Sequence, residues 1–195
     1  MSNKPGVTLH TNWKNYNTTA NNAPHLKLCL SLKMPERSTS TTRNSKNINA
    51  TPGALYQAFS NPKALELWLA PGEMTGKVHS FDFRVGGGYT MSLFYPASER
   101  QFQGKTTEKE DRYTARFIEL DPNRKIVQAI TFDSPDPSFS GEMIMEVTFE
   151  KISKGTKVVI IFNNIPAGIS PEDNEAGTEL TLDKLAKYVA SQTSL

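Results

Sequence analysis

The stretch Val78-His79-Ser80-Phe81-Asp82-Phe83-Arg84-Val85-Gly86-Gly87-Gly88-Tyr89-Thr90-Met91 decides the fold. Alternating residues run into three glycines and alternation resumes beyond them, which reads as strand, turn, strand. Glycine accepts positive φ and lets another backbone come close, so such a turn can bend a sheet as well as reverse the chain. Upstream, Thr51-Pro52 and Asn61-Pro62 each place a capping side chain before a proline at the first helical position, where its missing N–H costs nothing. Leu55, Ala58 and Phe59 share a face of the first short helix, and Leu65, Trp68 and Leu69 line the second until Ala70-Pro71-Gly72 ends it.

Strands are predicted over residues 76–83, 88–95, 111–120, 126–132, 141–151 and 156–163, each alternating or β-branched. Their short connections imply an antiparallel meander, since parallel pairs need crossover helices. The Thr- and Ser-rich residues 38–48 are expected to add a first edge strand with a weak apolar face. The longer polar links 96–109 and 133–140 are expected to form the mouths of whatever the sheet encloses. A last helix starts at Ser170-Pro171-Glu172-Asp173, with Ser as cap and Asp173 where a reciprocal capping-box acid belongs. Its Leu182, Leu185, Ala186 and Val189 form an apolar stripe directed at the sheet. Its first half (Asn174, Gly177, Thr178, Thr181) is polar, and either covers a cavity as a lid or projects into water.

Of the 195 residues, 37% are hydrophobic and 22% charged, the balance of a globular chain with one core. The net charge of +2 hides an asymmetry: residues 1–50 carry seven Lys or Arg against Glu36 alone, and the remainder is acidic by four. A mildly acidic body argues against nucleic acid as partner. Residues 1–37, rich in Asn, Thr and Ser, are expected to be a disordered basic extension, with Met34 as a natural start; residues 38–195 are the expected folded domain. The extension is acid-poor like a transit peptide but carries Asn where Arg is expected. Cys29 is the only cysteine, which leaves no intrachain disulfide or thiolate metal cluster. No run of apolar residues is long enough for a membrane span, and no secretory leader pattern opens the chain. The cytoplasm is the expected location.

From Met34 to Gln192 the chain resembles START-like proteins of the SRPBCC superfamily, in the group related to the activator of the heat-shock-protein-90 ATPase. The resemblance is carried by Thr51-Pro52-Gly53-Ala54-Leu55-Tyr56, Ser60-Asn61-Pro62 with Trp68, and Asp82 followed by Gly86-Gly87. It continues in Glu175-Ala176-Gly177 and in Leu182-Asp183-Lys184-Leu185-Ala186-Lys187-Tyr188. It implies an α+β helix-grip fold. A curved antiparallel sheet of six or seven strands wraps a long C-terminal helix, and two short helices follow the first strand. Many relatives carry Trp after the Ala-Gly step, where this chain has Thr178, a change that enlarges or polarises the cavity mouth.

A catalytic reading has little to stand on. His79 is the only histidine beyond the tail, and strict alternation puts it on the face of Phe81 and Phe83. His79, Asp82 and Asp133 are the weak catalytic candidates, and no residue set points to a metal or a cofactor. Gly86-Gly87-Gly88 is no phosphate cradle, because no helix follows it.

A cavity reading is better supported. Tyr89, Met91, Leu93 and Tyr95 share a face, as do Ile126, Gln128, Ile130 and Phe132, and Met143, Met145, Val147 and Phe149. Methionines suit adaptable pockets, and interleaved Arg112, Arg116, Gln128 and Asn163 would add a few polar contacts. The expected ligand-binding residues are Trp68, His79, Phe81, Tyr89, Met91, Arg112, Gln128, Ile130, Phe132, Met143, Met145, Asn174, Gly177, Thr178 and Thr181. An empty pocket of about 300 Å³ would cost roughly 7 kcal/mol, so the pocket is expected to be small, wet or occupied.

The leading expectation is a binding protein for a small hydrophobic or amphipathic ligand, acting as monomer or homodimer without a cofactor. One alternative, implied by the resemblance, is a co-chaperone-like regulator of an ATPase partner. The other is a cyclase- or hydrolase-type enzyme using His79 and acids at the mouth.

Overall fold

Thr51 and Asn61 start the two short helices through the side-chain caps that their neighbouring prolines imply. In the computed structural model, which describes residues 40–99 and 104–192, Thr51 Oγ1 accepts from Ala54 N at 3.2 Å. Asn61 Oδ1 accepts from Lys63 N and Ala64 N at 2.9 and 3.4 Å. Asn61 thus ends α1 (Pro52–Ser60) and begins α2 (Pro62–Trp68). Leu55, Ala58, Phe59, Ala64, Leu65 and Trp68 bury the shared face of this pair. The Trp68 indole N–H donates to the Ala58 carbonyl at 3.1 Å and ties the two helices together.

The strands are β1 (Thr41–Ile48), β2 (Thr75–Asp82), β3 (Gly88–Phe94), β4 (Glu110–Asp121), β5 (Lys125–Phe132), β6 (Met143–Ile152) and β7 (Gly155–Asn163). They form one seven-stranded sheet in the order β1-β7-β6-β5-β4-β3-β2, and every pair is antiparallel. The expected meander holds from β2 to β7. β1 lies beside β7, so α1 and α2 carry the chain from one edge of the sheet to the other. This is the helix-grip fold. The expected disordered extension over residues 1–37 lies outside the described residues.

The Gly86–Gly88 turn is held against β4. Gly86 N donates to Phe117 O and Phe117 N to Gly87 O, both at 2.9 Å. A Cβ on Gly88 would lie 2.0 Å from the Ala115 carbonyl oxygen, so the close approach anticipated for these glycines is real. Gly86 has φ +81°, but a Cβ there would meet nothing within 4 Å, so only its dihedral requires glycine. Two register shifts, between Val78 and Ser80 and between Phe117 and Glu119, mark bulges that add bend and twist.

Both sheet edges are occupied by helices. Along β2, Glu66 of α2 accepts the Val78 N–H at 3.0 Å, which blocks further strand pairing there. Along β1, the inward residues are mostly polar and face α3 (Pro171–Gln192). Thr42 Oγ1 donates to Asn174 Oδ1 at 2.5 Å, Asn44 Nδ2 to the Glu175 carbonyl at 3.1 Å, and Lys46 pairs with Asp183 at 2.5 Å. This explains the weak apolar face of the first strand: it grips a helix through polar bonds, and only Ile48 joins the core.

Ser170 Oγ caps α3 by accepting from Asp173 N at 3.0 Å. The reciprocal bond expected of a capping box is not made; Asp173 turns toward the sheet instead. Leu182, Leu185 and Val189 are buried as the stripe predicted. No helix among the described residues is long and apolar enough to cross a membrane.

Gly88→Ala is expected to destabilise the protein by about 3 kcal/mol or more through overpacking, and Gly86→Ala by about 1–2 kcal/mol through its dihedral alone. Urea denaturation of the two variants checks the order. The Glu66 carboxyl is held below its ordinary value of 4.5, chiefly by the Val78 N–H and then by Lys63. A depressed carboxyl contributes stability above that pH and loses it as pH falls below. Urea midpoints either side of that pH should therefore drop more in the wild type than in Glu66→Gln.

Candidate ligand cavity

The inward residues of β3 to β7 do not meet the first half of α3. Between them lies a cavity of about 810 Å³. Its walls come from Tyr89 and Leu93 on β3, Tyr113 on β4, Gln128, Ile130 and Phe132 on β5, and Met143 and Met145 on β6. Ile160 and Phe162 on β7 complete the sheet side. Asn174, Gly177, Thr178 and Thr181 of α3 cover it, so the polar half of this helix is a lid and does not project into water. Leu69, Pro71, Gly72, Glu73, Met74, Phe139 and Ile169 line the sides. Thr178 Oγ1 turns back to the Asn174 carbonyl at 2.7 Å, and Thr181 Oγ1 donates to the Leu69 carbonyl at 3.2 Å. Both hydroxyls are thereby satisfied under the helix.

Two polar groups interrupt the apolar lining. At one end Asp111, only 3% exposed, accepts from Lys105 N at 2.6 Å, from Lys105 Nζ and from the Tyr95 hydroxyl at 3.2 Å. Lys105 Nζ also lies 5.6 Å over the Phe132 ring, a cation–π position. Burial, aided by the neighbouring Asp111, pushes the Tyr95 hydroxyl up. On the sheet floor, Gln128 Nε2 donates to the Tyr89 hydroxyl at 3.1 Å and approaches Met145 Sδ at 3.7 Å. The Tyr113 hydroxyl donates to Met91 Sδ at 3.5 Å. Burial pushes Tyr89 up to about 12, and Tyr113 well above its ordinary value.

Ten of the expected binding residues line this cavity: Tyr89, Gln128, Ile130, Phe132, Met143, Met145, Asn174, Gly177, Thr178 and Thr181. Five do not. Trp68 is wholly buried against Phe59, with ring centroids 4.6 Å apart. Met91 is buried behind the wall, and Phe81 packs among Phe83, Tyr89 and Phe117. His79 is exposed on the outer face, because the bulge between Val78 and Ser80 adds one residue and separates it from Phe81 and Phe83. Arg112 points outward toward Asp133, with Arg112 Nε 3.8 Å from its carboxylate. Arg116 and Asn163 likewise face away, toward Glu142 and Thr41.

The residue missed on β4 is Asp111. Tyr113, Ala115 and Phe117 are all buried, and alternation places Asp111 with them and Arg112 opposite. Lys105 reaches the same point from an irregular link and left no periodic signal.

The weak catalytic candidates are not brought together. Asp82 pairs with Arg84 at 2.7 Å on the exposed turn, and Asp133 pairs with Arg112. His79 Nε2 meets Ser92 Oγ at 2.8 Å, and Ser92 donates to Glu110 Oε1 at 2.5 Å. Serine is the middle member of this chain and wholly buried, so histidine has no carboxylate to orient it and the hydroxyl no path to a substrate. Among the described residues no three His, Cys, Asp or Glu side chains group as metal ligands.

A raised tyrosine pKa gives stability that is complete below the unfolded value and is lost as pH rises toward the folded one. The protein is therefore expected to lose stability between pH 10 and about 12, with a shallower loss in Tyr89→Phe. Chemical denaturation across that range, with tyrosinate absorbance followed in parallel, measures it.

The sequence profile of Activator of Hsp90 ATPase homolog 1-like proteins matches residues 49–190. Among solved structures, a protein from Chromobacterium violaceum is 33% identical with a TM-score of 0.68, over 76% of this chain and 96% of that one. The AHSA1-like protein from Aeromonas hydrophila is 17% identical with a TM-score of 0.59, over 79% and 94% of the two chains. A protein from Rhodobacter sphaeroides is 18% identical with a TM-score of 0.60, over 79% and 95%. These last two likenesses are of fold alone. No curated protein sequence matches the chain. With the profile spanning most of the domain and the helix-grip architecture beneath it, the chain belongs to the Activator of Hsp90 ATPase homolog 1-like family of START-like proteins.

Proposed function

We propose that this protein binds a small apolar or amphipathic molecule between its sheet and the first half of α3. The observation that carries the reading is the cavity itself. At about 810 Å³ it falls within the range of small-molecule sites, with a mostly apolar lining and few polar groups. Of the three expectations, small, wet or occupied, a volume of this size leaves the last two. A sealed and empty void of that size would cost roughly 20 kcal/mol at the coefficient for core truncations. That exceeds a typical domain's entire stability of about 5–15 kcal/mol; this space is open at its mouth, so water or a ligand can fill it. Met143 and Met145 give one wall the flexibility to adapt to an occupant.

Regulation of a protein partner would call for a contiguous exposed apolar patch. Among the described residues the exposed large hydrophobics are Leu67 on α2, Val85 on the glycine turn, Ile118 on β4 and Leu180 on α3.

Thr178 is the residue through which to test the reading, because its hydroxyl bonds only within its own helix. The full-length protein is expected to bind the neutral fluorophore N-phenyl-1-naphthylamine saturably. Thr178→Trp, which puts an indole under the lid, should weaken that binding about tenfold, equivalent to about 1.4 kcal/mol, with the thermal midpoint held or raised. Native mass spectrometry of the same protein should show small molecules retained from expression in the wild type and fewer in the variant. Non-saturable binding that is identical in both proteins would defeat the proposal.

A further inference from the structure

On the cavity floor one carboxamide is only half answered by the described residues. Gln128 lies mid-strand on β5 and is 2% exposed, yet it lines the cavity. Its amide nitrogen is directed at two acceptors, the Tyr89 hydroxyl at 3.1 Å and Met145 Sδ at 3.7 Å. Its carboxamide oxygen has no partner among the described residues. That oxygen is not sealed inside the protein either. Among the described residues the one sealed side-chain polar atom without a partner is Asn44 Oδ1, far away on β1. The little accessible surface that Gln128 retains therefore opens into the cavity.

A buried carbonyl left unpaired is unfavourable, and Leu or Met at this position would bury equally well without that penalty. The groups around it make any occupant's chemistry specific. Tyr89, Tyr113, Ile130 and Met145 surround the amide, and burial has pushed both tyrosine hydroxyls up. A carboxylate brought here would lose its hydration without a cation to answer it, since Lys105 is already engaged by Asp111. An ammonium would lose its hydration without a counter-charge, since Asp111 is already engaged by Lys105 and Tyr95. A neutral donor meets neither objection.

We propose that the ligand is a neutral, largely apolar molecule carrying a hydroxyl or N–H group at its inner end, and that this group donates to Gln128 Oε1. The assignment rests on the cavity-binding reading above and adds orientation and ligand class to it. The donor enters first and the apolar body lies along Met143, Met145, Ile160 and Phe162. Any second polar group on the ligand stays near Lys105 and Asp111 at the other end. Gln128 is then a specificity-determining residue: it rejects analogues lacking the donor, because they leave its oxygen buried and unpaired.

Three matched probes test this on the full-length protein: naphthalene, 2-naphthol and 2-methoxynaphthalene. Each is measured by displacement of N-phenyl-1-naphthylamine, corrected for that probe's own affinity for each variant. The wild type should bind 2-naphthol about tenfold more tightly than the other two, the margin expected of one buried hydrogen bond. Gln128→Met should erase that margin and leave naphthalene affinity equal or improved. Equal binding of all three probes by the wild type would overturn the assignment while the cavity reading stands. Preference for 2-methoxynaphthalene would also overturn it, since the amide would then be presenting its N–H. Failure of every probe to displace the fluorophore, or of the fluorophore to bind, would bring down both readings together. The wild-type comparison decides the matter even if the variant does not fold.

Discussion

The structure depends on how α3 is held. Its C-terminal half is anchored by burial of Leu182, Leu185 and Val189, whereas its N-terminal half is gripped from the side by β1. Thr42, Asn44 and Lys46 bond Asn174, the Glu175 carbonyl and Asp183 across that seam. Each such bond is modest singly, the exposed Lys46–Asp183 pair most of all, but directional in a way that apolar packing is not. A helix held only by hydrophobic contact would settle onto the sheet until the space beneath it closed. Lateral polar attachment fixes the height of the first two turns and preserves the cavity.

Much of this architecture was legible in local chemistry. Proline after Thr51, Asn61 and Ser170 located three helix starts, and alternation located six strands within a residue or two. The glycine turn was readable because only glycine fits both the dihedral of Gly86 and the contact of Gly88 with Ala115. Site residues were legible wherever a strand kept its period, as on β5 and β6. His79 was misplaced because a bulge is an insertion that the alternation itself does not announce. Arg112 has the charge that suits a ligand, but the buried Tyr113, Ala115 and Phe117 set the strand's inner face and so place Asp111 inside and Arg112 outside. Trp68 fell to the core because a helix pair this small needs its largest side chain to hold itself together. The size of the cavity was illegible in principle: a sequence gives the facing of side chains and not the separation of the layers that carry them.

The fold accommodates many activities, so its identification does not decide among them. What decides is the distribution of polar groups. On the sheet side of the cavity they are an ion pair at one end and a carboxamide beside two tyrosine hydroxyls on the floor, while Thr178 and Thr181 bond away to backbone carbonyls. They suit recognition of a molecule with a distinct head and body. The outer-face chain of Glu110, Ser92 and His79 is the nearest approach to a catalytic set and has its members in an unproductive order.

The crossing of the chain from one edge of the sheet to the other has a kinetic consequence. Thr41 pairs with Asn163 and Ile48 with Thr156, so the first strand finds its neighbour only when nearly the whole domain is available. During synthesis the strands from β2 onward can zip together in order, each beside the one just made, while β1 waits. Such a long-range closure is slow compared with hairpin formation. A waiting strand of apolar composition would be a template for misassociation. The Thr-Thr-Arg-Asn-Ser-Lys-Asn sequence that later grips α3 is also poorly suited to stray pairing with other nascent chains. One polar composition serves the finished seam and the interval before it exists.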